Sequence, residues 1–517
     1  MALISIANLT FAYDGSYDNI FENVSFQIDT DWKLGFTGRN GRGKTTFLNL
    51  LLGKYEYSGS ISFSGSRSGG QFQYFPCPVR DKAVATLEII REIAPSGQDW
   101  QIARELSLLG VSEDVLLRPF QTLSNGEQTK ILLAALFLSE ENFLLIDEPT
   151  NHLDISGRAI VSRYLSGKKG YILVSHDRAF LDGCVDHILS INRTNIEIQR
   201  GNFSSWWENK KRQDDFELAE NERLKKDIKR LKAAAKQSDN WANKVESTKR
   251  GKGAAGVENK MGHMAYAAEK SRRMQQRRKN LERRQQSAID DKSALLKNIE
   301  RADALKITQL SYHKQKLLEL SNVSISYDGK TICENVSFSI SQGDRFALRG
   351  KNGCGKSSIL KLICTRASDN GIDKCRHPQN FGGELSIGAG LKISYVSQDT
   401  SALGGNLTDF AKQHDIDESL FKAILRKLDF SRVQFEKNIE DFSGGQKKKV
   451  LIAKSLCEKA HLLIWDEPLN FIDVLSRIQI EKLLLEHQPT ILFVEHDSVF
   501  SDAISTKGFD FENPSRA

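Results

Sequence analysis

Long hydrophobic runs are missing from this sequence. Runs such as Phe143 to Ile146 and Ile491 to Val494 fall far short of the ~20 apolar residues that cross a bilayer. Any transport role would therefore need a separate membrane partner. Paired cysteines are missing too: Cys77, Cys184, Cys333, Cys354, Cys364, Cys375 and Cys457 are odd in number, scattered and never spaced as C-x-x-C. That pattern argues against a disulfide framework or a thiolate zinc site and fits a reducing cytoplasm. No basic leader precedes a long apolar stretch; Met1 to Thr10 alternates apolar and polar residues and reads as a first strand rather than a signal peptide.

What is present is a repeat. The run Phe21-Glu-Asn-Val-Ser-Phe26 returns as Cys333-Glu-Asn-Val-Ser-Phe338, and Lys44 pairs with Lys356, Ser124 with Ser443, Asp147 with Asp466 and His176 with His496. The order is preserved throughout, as a duplicated domain requires. Its copies fall at 1–208 and 313–517. In each, short β-branched runs alternate with helical patterns, which predicts α/β domains with a mostly parallel sheet.

The segment between the copies, 209–312, differs in composition. Lys, Arg, Glu, Gln and Ala dominate it, with about 25 basic against about 14 acidic side chains from Lys210 to Glu300, so the net charge of +7 arises there and the duplicated domains are slightly acidic. Phe216, Leu224, Ile228 and Leu231 mark one face of a first helix, and Leu281, Ala288 and Leu295 recur on a second. The pattern predicts an antiparallel helical hairpin with its tip near 248–264. A first helix from about Lys210 to Ser247 would carry the tip ~55 Å at ~1.5 Å per residue.

Three motifs carry chemistry. Gly38-Arg-Asn-Gly-Arg-Gly-Lys-Thr45 and Gly350-Lys-Asn-Gly-Cys-Gly-Lys-Ser357 both fit the phosphate loop G-x-x-x-x-G-K-[ST], each between an apolar strand and a helical pattern. Glycines let backbone N–H groups converge on phosphate oxygens, Lys44 and Lys356 would neutralise the β/γ charge, and Thr45 and Ser357 would offer hydroxyls to Mg²⁺. A chance glycine turn does not account for two such matches at equivalent positions. The residues Arg39, Asn40, Gly41, Arg42, Gly43 and Thr46, with Lys351, Asn352, Gly353, Cys354, Gly355 and Ser358, complete the two loops.

Apolar strands ending in Asp147-Glu148 and Asp466-Glu467 place carboxylates where phosphate chemistry occurs in such sheets. The aspartates would hold the metal and the glutamates polarise the attacking water. Ser124-Asn-Gly-Glu-Gln128 and Ser443-Gly-Gly-Gln-Lys447 each precede a helix. Alone each is an ordinary N-cap; about 20 residues before an Asp-Glu strand in both copies, Ser124, Gly126, Ser443, Gly444 and Gly445 become phosphate-binding elements.

Together these motifs resemble the ATP-binding cassette superfamily over nearly all of both domains. The resemblance implies two cassettes packed head to tail in one monomer, with ATP between each phosphate loop and the opposing signature. Lys44 would face Ser443 and Gly445, and Lys356 would face Ser124 and Gly126. It also implies that His176 and His496 contact the γ-phosphate, that Tyr13 (or Tyr17) and Tyr327 stack on adenine, and that Gln398 joins the metal shell. Glu148-Pro-Thr-Asn-His-Leu-Asp154 and Glu467-Pro-Leu-Asn-Phe-Ile-Asp473 look like the signatures of the ABC-F subfamily, the second in the form seen in resistance members of the Vga and Lsa type.

That subfamily acts on ribosomes. The resemblance implies a cytoplasmic, ribosome-associated ATPase whose basic hairpin meets 23S rRNA and P-site tRNA from the E site and protects the peptidyl transferase centre from lincosamides, streptogramin A compounds or pleuromutilins. Only about 47 residues separate Cys77 from Ser124, room for a small helical subdomain and not for the extra arm of housekeeping members. A housekeeping translation factor, a transporter subunit or a DNA-repair ATPase would share the nucleotide motifs. Cys77 stands where the second copy has Gln398, and Asn125 replaces the first signature glycine, so the two ATP sites are expected to differ. The affected site stays open, because Cys77 belongs to the Lys44 site and Asn125 to the Lys356 site.

Overall fold

The computed structural model describes residues 2–13, 19–64, 71–138, 142–151, 153–191, 196–250, 309–327, 330–367, 380–401 and 403–511. Two compact units emerge: Met1–Trp206 with Ala304–Ala517, and Trp207–Asp303.

The first unit contains both cassettes, each with a small antiparallel sheet and a larger, mainly parallel one. The strands of the first cassette are β1 (Leu3–Phe11), β2 (Phe21–Asp29), β3 (Lys33–Thr37), β4 (Ser58–Ser64), β5 (Gln71–Phe75), β6 (Asn142–Asp147), β7 (Tyr171–Val174), β8 (His187–Ile191) and β9 (Ile196–Arg200). In the small sheet β1 lies between β2 and β4, and the larger sheet runs β5-β6-β7-β3-β8-β9. All pairs of the larger sheet are parallel except β8 with β9.

The second cassette repeats this plan with β10 (Lys316–Tyr327), β11 (Lys330–Ser341), β12 (Arg345–Arg349), β13 (Asn380–Ile387), β14 (Ile393–Val396), β15 (Leu462–Asp466), β16 (Ile491–Val494) and β17 (Lys507–Asp510). Here β10 lies between β11 and β13, and the five-stranded sheet runs β14-β15-β16-β12-β17.

Burial explains the apolar runs. Every residue of β7 (YILV) and β16 (ILFV) is buried, because central parallel strands are covered on both faces and cannot alternate. Register then gathers the chemistry: Asp147 and Phe36 both pair with Val174, and Asp466 and Leu348 both pair with Val494. The strand ends carrying the phosphate loop, the Asp-Glu pair and the histidine two residues on thus share one sheet edge.

One helix, Phe203–Arg250, leads into the second unit. It begins ahead of the predicted Lys210. Asn202 explains this, its Oδ1 accepting from Ser205 N at 3.1 Å as an N-cap, while Phe203 and Trp206 are buried. Phe216 is exposed at 70%, not packed in a stripe, whereas Leu224 and Ile228 are half-buried. The predicted second helix, the tip beyond residue 250 and Tyr17 lie outside the described residues. Among the described residues, no helix is long and apolar enough to cross a membrane.

Candidate functional site

Each phosphate loop leaves a strand end and enters a helix, Lys44–Leu51 in the first copy and Lys356–Ala367 in the second. Gly43 and Gly355 have φ of 94° and 100°. A Cβ on Gly43 would stand 2.6 Å from Ile20 Cγ2, and one on Gly355 3.1 Å from Cys333 Sγ, so both backbone conformation and space demand glycine there. Arg42 N bonds Arg39 O and Cys354 N bonds Lys351 O, closing the turns at 3.3 and 3.4 Å. The ammonium groups curl over their own loops. Lys44 Nζ donates to Gly38 O at 2.6 Å, and Lys356 Nζ donates to Gly350 O and Lys351 O at 2.7 Å.

The two glutamates share a rare backbone. Glu148 and Glu467 have φ of 51° and 47°, a region that side chains seldom enter outside sites where the surroundings enforce it. The enforcing bonds are Glu148 N to Val174 O at 2.9 Å and Glu467 N to Val494 O at 3.1 Å. His176 Nε2 and His496 Nε2 each stand 3.3 Å from the Oε1 of their own cassette's glutamate.

A cavity of about 870 Å³ joins the two cassettes at Lys356. One wall comprises Tyr327, Asn352, Gly353, Gly355, Lys356, Ser357 and Ser358, with Gln398, Glu467 and His496; the facing wall comprises Ser124, Asn125, Gly126, Lys130 and Asp154. The volume suits a nucleotide. Ser124 is also an N-cap, accepting from Glu127 N at 3.2 Å while Glu127 Oε2 takes its N–H and O–H at 2.8 Å. Capping its helix and facing the cavity are compatible roles for this serine.

Around Glu467 the polar groups are closely matched. Gln398 Nε2 and Asn470 Nδ2 donate to Glu467 Oε2 at 2.8 and 2.7 Å. Burial alone would raise this carboxyl, yet the hydrogen bond and charge of His496 and the Asn470 amide hold it below the usual glutamate range. Ser357 Oγ donates to Asp466 Oδ1 at 3.0 Å, so two hard oxygen ligands already adjoin, a donor set that fits Mg²⁺. With its amide nitrogen engaged, Gln398 has only its amide oxygen to offer a metal.

The Lys44 site is built differently. The loop is pressed against the second cassette: Asn40 Nδ2 donates to Phe471 O at 2.8 Å, Asn40 N to Asp473 Oδ2 at 3.4 Å, and Arg39 pairs with Asp429. A Cβ on Gly445 would lie 2.3 Å from Phe471 O and 2.9 Å from Asn40 Nδ2, so the signature glycine permits this approach; a Cβ on Gly444 would lie 3.8 Å from Phe471 Cδ2, an ordinary contact. Ser443 caps its helix, accepting from Gln446 N at 3.4 Å.

Despite the nearby imidazole, Glu148 Oε1 is buried without a hydrogen-bond donor, and burial together with the Asp147 carboxylate pushes its carboxyl up to about 8. Cys77 cannot supply what Gln398 supplies, since its thiol is a weak donor, it has no amide oxygen and its side chain is shorter. Asp147 accepts from Tyr74 OH at 2.9 Å; Thr45 is exposed. Thr46 is buried and shares a 2.7 Å hydrogen bond with Tyr13. The Tyr13 ring meets Phe11 and Tyr55 edge-on within an aromatic group.

Several contributors lie outside the three motifs. Asp473 is fully buried, pairs with Lys449 at 3.1 Å and caps its helix at Ser476 N. Burial opposes its charge, but Lys449, then Lys44 and His176, hold its carboxyl well below the ordinary 3.8. A depressed carboxyl contributes stability that is fully present above that ordinary value and is lost as pH falls below it. Asp473→Asn keeps a capping residue while stripping buried Lys449 of its counter-charge, and should destabilise the fold by roughly 3 kcal/mol. Denaturant unfolding at neutral pH measures this, and the difference from the parent should shrink below about pH 4. Arg158 is another such residue. Its NH1 donates to Asp177 Oδ2 at 2.9 Å and, across the cassettes, to His496 O at 3.2 Å. A positional signal marks it, since Arg158 follows Asp154 at the same interval as Arg477 follows Asp473.

Comparison with known proteins agrees with this geometry. The ABC transporter family model matches residues 21–151 and 333–470. The ribosome protection protein VmlR of Bacillus subtilis is 27% identical, covering 96% of this chain and 84% of its own length. The ATP-binding protein Uup of Buchnera aphidicola is 26% identical over 99% and 81% respectively. Among solved structures, the archaeal ribosome recycling factor aABCE1, in complex with the ribosomal stalk protein aP1, aligns with a TM-score of 0.61 at 18% identity, covering 97% of this chain and 87% of that one, a likeness of fold. With two cassette matches on one chain, the protein belongs to the ABC transporter family, within its ABC-F branch, and is an ATP hydrolase.

Proposed function

We propose that the protein binds two ATP molecules between its cassettes and, with ATP bound, engages the ribosomal E site to protect the peptidyl transferase centre from antibiotics. The observation that carries the first part is the Lys356 cavity, whose walls come from both cassettes. A nucleotide there would contact both halves at once, so its binding energy favours the closed pair. Hydrolysis removes the γ-phosphate contacts and releases it.

The chain's own groups divide the work. Lys356 and the loop N–H groups hold phosphate oxygens, Tyr327 offers a ring to the base, and Ser124 with Gly126 approach from the other cassette. Glu467, held ionised by His496 and Asn470 and hydrogen-bonded by Gln398, accepts the proton of the attacking water, and His496 fixes its orientation. Ser357, Asp466 and Gln398 would hold Mg²⁺, which supplies charge neutralisation at the phosphates. The Lys44 site has the same outline with a raised carboxyl whose Oε1 lacks a donor, and serves as the slower, more structural site.

The ribosome enters through two supports. One is the likeness to VmlR, named a ribosome protection protein; the other is the basic segment 209–312, an electrostatic match to RNA. The Vga and Lsa resemblance favours protection over a housekeeping role. A Glu148→Gln, Glu467→Gln double variant should bind ATP normally and accumulate on ribosomes, raising co-sedimentation by about tenfold over the parent. Co-sedimentation unchanged by ATP would refute ribosome engagement. Expression in a drug-sensitive host, with inhibitory concentrations measured for lincosamides, streptogramin A and pleuromutilins, separates protection from a housekeeping role.

A further inference from the structure

The signature helix of the second cassette, Gly444–Cys457, carries a lysine where charge is rarely found. Lys448 is 2% exposed and is among the largest fully buried side chains of the described residues. Burial of this kind requires specific partners. Lys448 Nζ donates to Ser397 O at 2.9 Å and to Glu467 O at 3.3 Å.

Those two carbonyls bracket the reacting region. Ser397 directly precedes Gln398, and Gln398 Nε2 donates to Glu467 Oε2 at 2.8 Å. The ammonium thus fastens the backbone beside the glutamine to the backbone of the glutamate, while the glutamine side chain fastens to the glutamate's carboxylate. Two ties therefore join the same two stretches of chain. The first cassette cannot do this, because the equivalent residue is Thr129, too short to span, and Cys77 stands in place of Gln398. The lysine and the glutamine occur together in one copy and are both missing from the other.

We infer that Lys448 is a positioning residue for ATP hydrolysis at the Lys356 site, holding Gln398 and Glu467 in mutual register so that movement of the signature helix is transmitted to the catalytic carboxylate. Its hydrogen bonds go to main-chain carbonyls, and its effect runs through those two residues. The inference rests on the reading that the Lys356 site hydrolyses ATP.

The test uses the full chain and steady-state ATP hydrolysis. Lys448→Met keeps the stem and its packing while removing the donor; it should lower kcat about tenfold with KM changed less than about twofold, the signature of an interaction made toward the transition state. Lys448→Arg should restore at least about a third of the parent kcat. The deciding readout is a double-mutant cycle: in a Gln398→Ala background the loss from Lys448→Met should shrink below about twofold, because the group being positioned is gone. Lys448→Leu, which also lacks a donor, is the second variant if the methionine chain fails to fold, with the same losses expected. An unchanged kcat, or a full loss persisting without Gln398, overturns the inference. If instead Glu467→Gln leaves hydrolysis intact, the assignment of the hydrolysing site fails, an outcome read independently of Lys448.

Discussion

Glu467→Gln should reduce steady-state ATP hydrolysis by about two to three orders of magnitude, the range expected when a general base is removed, while Glu148→Gln should cost less than about threefold. The two side chains occupy equivalent strand ends with the same unusual φ, so the backbone does not distinguish them. Their surroundings do. Glu467 receives amide donors from Gln398 and Asn470 and stays ionised; Glu148 has a buried oxygen without a donor and a carboxyl pushed up to about 8. A carboxyl raised in this way keeps its proton more readily and is less available to take one from water. Radiolabelled ATP turnover with each single variant decides the matter. Equal losses would mean that nucleotide binding rebuilds the Lys44 site into its partner's likeness.

The second large effect concerns salt. If segment 209–312 neutralises about seven phosphates through its cluster of Arg272, Arg273, Arg277, Arg278, Lys279, Arg283 and Arg284, affinity for ribosomes in ATP should fall by about three to four orders of magnitude between roughly 50 and 200 mM salt. Replacing four of these arginines with glutamine should flatten the log-log slope by about 3 to 4, roughly one for each phosphate left without its cation. Fluorescence titration of labelled protein against purified ribosomes reads the slope directly. A slope near zero would show that the association is not carried by phosphate charge, whatever the affinity at one salt concentration.

Much of the architecture is legible in one dimension because the duplicated motifs fix their own context. A phosphate loop between strand and helix, followed by an Asp-Glu strand end and a histidine, is compatible with few arrangements, and the parallel order β6-β7-β3 follows it. The pairing of Lys356 with Ser124 and Gly126 across one cavity is implied by resemblance alone; nothing in spacing requires it. Residues acting through burial are invisible in the sequence. Lys448 looks like a surface charge until the fold seals it, and the motif position of Asp473 and the spacing of Arg158 do not reveal that one is sealed and the other reaches the opposite cassette. The helix start at Phe203 is obscured for a smaller reason: it falls inside the first copy as bounded at 208, where Asn202 caps the helix that follows. The asymmetry of the two sites shows in Cys77, but its direction does not, because the outcome depends on which donors reach each glutamate.

The cavity at Lys356 takes its floor from one half of the gene and its lid from the other, which crosses the lines of inheritance between the duplicated copies. Asn125 is encoded in the first half, yet its chemical consequences fall on the pocket anchored in the second. A chimera that exchanged only the first half with a relative would therefore keep its own Gln398 and Glu467 while acquiring a foreign lid. Divergence between the copies is constrained in the same crossed manner, each half evolving against a surface it does not itself encode.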